Sequence, residues 1–207
     1  MIKIYGNKMS NNTNKVLYTA GLLEIEYEFQ LMDFQKDLKT PEFLKINPVG
    51  KIPALVDGSF TLFESGAISR YLCDKHKSSL YPKDIQKRAL VDQWIDFSNI
   101  HIGINMSKVA WNRAWAPKMG LPADERSIKD GEKFLSQFLP IVDKQLSKNK
   151  YISGHDLTLA DVSLLVALDY AEPGKVDLGG YKNVIKWREA LQKEEFYTSV
   201  GFHASLK

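Results

Sequence analysis

A small α/β unit followed by an all-helical region is the fold this 207-residue sequence predicts. Three observations carry that reading. Period-two alternation of apolar and polar residues is confined to the first 64 residues, where it marks strands. An Asp57-Gly58 pair joins two such stretches as a hairpin. Beyond residue 87 every periodic stretch repeats at helical spacing.

Taken in order, Met1 to Tyr5 alternates and reads as a first strand, and Gly6 to Asn14 is polar and turn-rich. A helix is predicted from about Lys15 to Leu23. Residues 24–31 alternate again, with Ile25, Tyr27, Phe29 and Leu31 on the face of a half-buried strand. Thr40-Pro41-Glu42 starts a short helix, since Thr caps and Pro suits the first helical position. Lys51–Val56 and Phe60–Glu64 form the hairpin, and Ser65 to His76 closes the unit as a helix. The order is βαβαββα within residues 1–77, with 78–87 as a polar linker and 88–207 as the helical domain.

In the helical part, Leu90, Val91, Trp94 and Ile95 form a first stripe whose pattern carries on towards Trp115. Ala116 to Pro122 holds two prolines and a glycine and reads as a connection. A helix over about 124–147 buries Ile128, Leu135, Phe138, Leu139, Val142 and Leu146, and Pro140 is expected to kink or break it near Leu139. Thr158-Leu159-Ala160-Asp161 has the form of a capping box, opening a helix through about Asp169 that is apolar nearly all round, with Glu172-Pro173-Gly174 ending it. A last amphipathic helix uses Val184, Trp187 and Leu191, followed by Phe196, Tyr197 and Phe202.

Composition excludes several classes. A net charge of +3 from 28 basic and 25 acidic residues leaves no footprint for nucleic acid. The single cysteine, Cys73, forbids an intrachain disulfide and a Cys-x-x-Cys motif, and eight residues into a helix it reads as a packed small residue. The histidines His76, His101, His155 and His203 have no metal-ligand spacing, so no metal is expected. The longest apolar run, Leu164 to Leu168, is too short to span a bilayer, and Met1-Ile2-Lys3-Ile4 alternates at once, unlike a signal peptide. A soluble, cytoplasmic protein with no membrane partner is the expectation.

The stretch from Asn47 to Ile68 carries the chemistry of a slot. Pro53 at the start of a strand suits a cis peptide after Ile52, which would turn the preceding backbone groups outward to pair with an extended chain. Ser65 opens a helix, where N–H groups and the dipole suit a carboxylate. Together they describe a site for a small peptide with a charged end.

With Val49-Gly50-Lys51-Ile52-Pro53-Ala54-Leu55, then Leu62-Phe63-Glu64-Ser65-Gly66-Ala67-Ile68, then Thr158-Leu159-Ala160-Asp161 in this order and spacing, the chain resembles a cytosolic glutathione transferase, most like the plant-type (phi-like) serine subgroup. The resemblance implies a thioredoxin-like N-terminal domain, an all-helical C-terminal domain, a homodimer, and glutathione as co-substrate. It implies that Ile52 and Pro53 pair with the cysteinyl backbone, that Glu64 takes the γ-glutamyl ammonium, and that Ser65 takes its carboxylate. Lys39 and Lys51 are candidates for the glycyl carboxylate. The subgroup has His before the lysine where this chain has Leu38, and commonly Gln at Lys51.

Glutathione must attack as a thiolate, so the site needs a hydroxyl donor near a helix N-terminus. Ser10, Thr13 and Tyr5 stand near the first helix. Tyr5-Gly6-Asn7-Lys8-Met9-Ser10 matches the serine-type pattern, which selects Ser10; Tyr5 is the second candidate, because other classes use a tyrosine there. The second substrate, a hydrophobic electrophile, is expected between the domains, near Met9 and Phe34 on one side and Trp111, Trp115 and Met119 on the other. The reading is conjugation of the thiolate to electrophiles. Glutathione peroxidase activity in the same site and a non-enzymatic binding module are the alternatives.

Overall fold

The structure, a computed structural model, describes residues 1–200. Phe202 and His203 therefore lie outside the described residues. The chain divides into two compact bodies, one comprising Met1–Ser78 with the described residues from Glu195, the other Ser79–Glu194. The final aromatic pair thus belongs with the first body, not with the helices that precede it.

In the first body, β1 (Ile2–Gly6), α1 (Asn11–Leu22), β2 (Tyr27–Leu31), α2 (Pro41–Ile46), β3 (Ala54–Asp57), β4 (Phe60–Phe63) and α3 (Ser65–Lys75) follow the expected order. The sheet runs β2-β1-β3-β4, parallel between β1 and β2 and antiparallel elsewhere. Central strands bury Ile4 and Leu55 completely, as their two covered faces require. Tyr5, of opposite parity to Ile4, packs instead with Phe43, Met32, Ile52 and Ala54. Gly58, at φ 62°, takes the first loop position of the hairpin, where Asp57 pairs with Phe60. Helices α1 and α3 are tied by the buried bond from Thr19 Oγ1 to Ser69 Oγ at 3.0 Å. A short helix, here α10 (Glu195–Thr198), sets Phe196 and Tyr197 against the Tyr18 ring at 5.7 and 5.1 Å.

Three expectations for this body shift. Helix α1 begins at Asn11, four residues before Lys15, because its polar first turn is buried and bonded rather than looped. Strand β2 begins at Tyr27, since α1 ends in a Schellman turn with Glu24 at φ 52° and Ile25 N–H donating to Ala20 C=O at 3.0 Å. Leu31, expected on the buried face, ends an edge strand and is exposed.

The second body is helical throughout its regular structure, and no helix of the described residues is long and apolar enough to cross a membrane. Helix α4 (Ile85–Phe97) starts inside the expected linker, because Asp84 caps it by accepting from Gln86 and Lys87 N–H groups. Its stripe buries Val91, Trp94 and Ile95, while Leu90 is exposed. The helical path continues through a π-helical stretch at Ser98–Gly103, α5 (Ile104–Ala110) and a second π stretch at Trp111–Trp115. Helix α6 (Glu125–Leu146) runs through Pro140 unbroken. Pro140 lies on the exposed face, where water can satisfy the Ser136 carbonyl that loses its donor. Gly131 lets α6 approach α5 closely, since a Cβ there would meet Val109 Cγ2 at 2.7 Å.

Helix α7 (Leu159–Leu168) is buried over all ten residues and forms the centre of this body. Its capping box is present, and Asp161 does more than cap. Its carboxylate accepts from Thr158 N–H at 3.0 Å, from Ile152 N–H at 2.9 Å and from Trp187 Nε1 at 3.1 Å. Burial pushes its pKa up to about 6, with these donors pulling the other way. The helix ends at Leu168 with Asp169 as its cap, as expected, and Glu172-Pro173-Gly174, expected only as its stop, lies in a further helical turn, α8 (Ala171–Gly174), before α9 (Lys182–Leu191) buries Val184, Trp187 and Leu191.

Candidate active site

A cavity of about 180 Å³ opens on the first body where β3 and α3 begin. Lys51, Ile52, Pro53, Glu64 and Ser65 line it, as the sequence predicts. The Ile52-Pro53 bond is cis. Asn47 and Val49, both within the slot stretch of the sequence, complete the wall with Asn12, which nothing in the sequence marks. Lys39 reaches the rim from outside, its Nζ donating to the Val49 carbonyl at 3.3 Å.

The loop before the cis bond is held by one buried side chain. Asn47 donates from Nδ2 to the Lys51 carbonyl at 2.6 Å and accepts the Val49 N–H at 3.0 Å. Gly50, at φ 64°, lets the chain turn between them, and a Cβ there would meet the Leu38 carbonyl at 2.7 Å.

At the far wall, Glu64 precedes α3 with φ 71°, an expensive conformation for a side-chain-bearing residue, and makes no capping bond. Its carboxylate is therefore exposed at the cavity while Ser65 is buried at the first position of the helix. The lining carries an acid, a helix N-terminus and an exposed lysine. That set suits a zwitterionic end and a carboxylate.

Ser10 caps α1, two residues before Asn12. Its Oγ accepts the Thr13 N–H at 3.4 Å, leaving its own proton to donate. The loop that presents it is tightly fastened. Asn7 donates from Nδ2 to Met32 C=O at 2.9 Å and accepts the Met9 N–H at 3.0 Å. Asn14 Nδ2 donates to Lys8 C=O at 2.9 Å. Gly6 has no room for a Cβ, which would sit 2.4 Å from Thr13 Cγ2. The Asn and Thr residues that look like a loop in the sequence are the fasteners of a helix start.

Behind this wall lies Lys15, 4% exposed. Burial pulls its pKa down to about 8, with Arg70 pushing the same way and Glu64 opposing. No sequence signal marks it, because a lysine in an amphipathic helix ordinarily reaches water. Tyr5, the second candidate donor, packs its ring 6.0 Å from Phe43 with Lys3 Nζ 5.3 Å from its centre. Cys73 is buried and its thiol is pushed up to about 12, which removes it as a nucleophile.

The apolar candidates differ in exposure. Met9 and Phe34 are exposed on the first body. On the second, Trp111 and Met119 are exposed, whereas Trp115 packs against Tyr170 at 4.8 Å between ring centres. Among the described residues no group of three or more acidic, His or Cys side chains could hold a metal.

Comparison with known proteins agrees with this fold. Residues 1–74 match the glutathione S-transferase N-terminal domain and residues 105–195 its C-terminal domain. Glutathione S-transferase F10 of Arabidopsis thaliana is 36% identical over 189 residues, 88% of each chain. Glutathione transferase F2 from Populus trichocarpa is similar with a TM-score of 0.90 at 31% identity, over 97% of each chain. A glutathione S-transferase-I solved with lactoylglutathione bound is similar with a TM-score of 0.88 at 28% identity, over 96% of this chain and 97% of that one. The first body is a thioredoxin-like domain with a cavity at a cis-proline, followed by a helical domain. The chain belongs to the glutathione S-transferase family, and the relatives named above include plant F-type members.

Proposed function

We propose that this transferase uses Ser10 to hold glutathione as a thiolate and conjugates it to hydrophobic electrophiles. The observation that carries the proposal is the cis Ile52-Pro53 slot with Glu64 and Ser65 at one end, on the same body as Ser10 at the start of α1. Ile52 and Pro53 pair with the cysteinyl backbone of glutathione. Glu64 receives the α-ammonium of its γ-glutamyl end, and Ser65 with the α3 N-terminus receives the α-carboxylate. Lys51, with Lys39 at the rim, meets the glycyl carboxylate.

A free thiol titrates near ~8.5, so poising it as a thiolate at neutral pH asks for about two units, or roughly 2.7 kcal/mol. The Ser10 hydroxyl and the α1 dipole supply this together, since a donor and a helix N-terminus both favour the anion. The thiolate then attacks the electrophilic carbon, forming the carbon–sulfur bond as the leaving group departs with its electron pair or, with an isothiocyanate, as the C=N π pair moves to nitrogen, which takes a proton from water. Met9, Phe34, Trp111, Trp115 and Met119 are proposed to contact the electrophile, with Trp115 acting through packing. The working form proposed is a cytoplasmic homodimer serving detoxification, without metal; light scattering at micromolar concentration tests the dimer.

Conjugation of a chloronitrobenzene or an isothiocyanate tests the assignment. Turnover that falls about 10²–10³-fold in Ser10→Ala is expected. Absence of turnover in the wild type, or turnover unchanged in the variant, would overturn it. A hydroperoxide assay beside it separates peroxidase chemistry in the same site.

A further inference from the structure

Helix α1 buries every residue from Asn11 to Ala20 except Asn12. Asn12 is exposed because it faces the cavity it lines with Glu64 and Ser65. Its Oδ1 accepts the Ser65 hydroxyl proton at 3.2 Å. This bond joins the helix that presents Ser10 to the helix that starts at the glutamyl end of the slot.

Building on the glutathione reading above, we propose that Asn12 is a further binding residue, whose Oδ1 accepts from the α-ammonium of the γ-glutamyl end alongside Glu64. In the empty slot the Ser65 proton points to Asn12. A carboxylate at the α3 N-terminus is a stronger acceptor than a neutral amide, so it takes that proton when it binds. Asn12 Oδ1 is then vacated beside the new ligand, and a bare acceptor in a half-closed cavity needs a donor. The ammonium on the same carbon as the carboxylate brings three donors to that spot. The exchange is balanced, because every hydrogen bond broken on binding is replaced by one to a charged partner. Asn12 and Glu64 then recognise one end of the peptide from two helices, and a dipeptide lacking that end would lose both.

Calorimetry with two ligands, S-methylglutathione and its deaminated analogue lacking the α-ammonium, tests this in the full chain and in Asn12→Ala. The variant is expected to bind S-methylglutathione about tenfold more weakly, as for a hydrogen bond to a charged group, while its affinity for the deaminated analogue changes less than twofold. Equal losses for both ligands, or no loss for either, overturns the assignment of Asn12 alone. A wild-type chain that binds neither ligand overturns the glutathione reading, and this assignment with it.

Discussion

Asn47 grips the Lys51 carbonyl at 2.6 Å from a buried position, closing the loop that delivers the chain to the slot. The same amide accepts the Val49 N–H, so one side chain fixes both sides of the Gly50 turn. Asn47→Ala removes the partner of the Val49 N–H and the Lys51 carbonyl, both part-buried, and is expected to cost about 1 kcal/mol of stability. The slot backbone loosens with it. Steady-state kinetics should show KM for glutathione raised about tenfold with KM for the electrophile within twofold; unchanged KM for glutathione would contradict this role.

Glu64 sets stability against binding. Its φ of 71° stores strain that a glycine would relieve. Glu64→Gly is expected to gain about 1 kcal/mol in urea unfolding. The same variant should lose at least tenfold in glutathione affinity, because the acceptor for the ammonium is gone. Opposite signs in the two measurements are the signature; a loss in both would mean that Glu64 also supports the fold.

Asp161 carries four donors within the helical body, from Ile152, Thr158 backbone and hydroxyl, and Trp187. Asp161→Ala strands three buried N–H groups and is expected to cost about 4 kcal/mol or more, read as a fall in the urea midpoint with expression yield following it. Asp161→Asn, which keeps one accepting oxygen, should lose less.

Lys15 makes stability depend on alkaline pH. Its pKa is lowered in the folded chain to about 8 from the ordinary 10.5. Between these values the unfolded chain binds more protons than the folded one, so this group makes stability rise as pH rises through that window. Below about pH 8 both states carry the proton and the contribution is flat. Denaturant unfolding at pH 7 to 10 should show the rise in the wild type and its loss in Lys15→Met. An identical slope in both would contradict the burial of a charged ammonium beside Arg70 and Glu64.

What was legible in the sequence is what backbone chemistry dictates locally. Pro53 and Pro41 fix their own φ, Thr40 caps, and Gly58 accepts the positive φ the turn needs, so the slot strand, the hairpin and α2 were readable from a few residues. The Thr158–Asp161 box was readable for the same reason, but its bond to Trp187 spans 26 positions and leaves no local trace. The polar run from Asn11 to Asn14 misled because composition reports polarity and not whether a partner is at hand; Asn14 reaches back to Lys8 and is fully buried. Pro140 misled in the other direction, since a lost donor matters less on an exposed face. Asn12, Asn47 and Lys15 could not be found without the fold, because each acquires its role from a neighbour on another element or from burial.

The central claim is that Ser10, capping α1 with its own proton free to donate, makes the sulfur of bound glutathione an anion. Titrating the ultraviolet absorbance of the thiolate in the bound complex measures this directly. The wild type should titrate about two units below the ~8.5 of a free thiol. In Ser10→Ala the midpoint should return close to that free value while affinity for S-methylglutathione stays within about threefold. A midpoint that Ser10→Ala leaves unchanged would contradict the account and move the search for the donor elsewhere in the site.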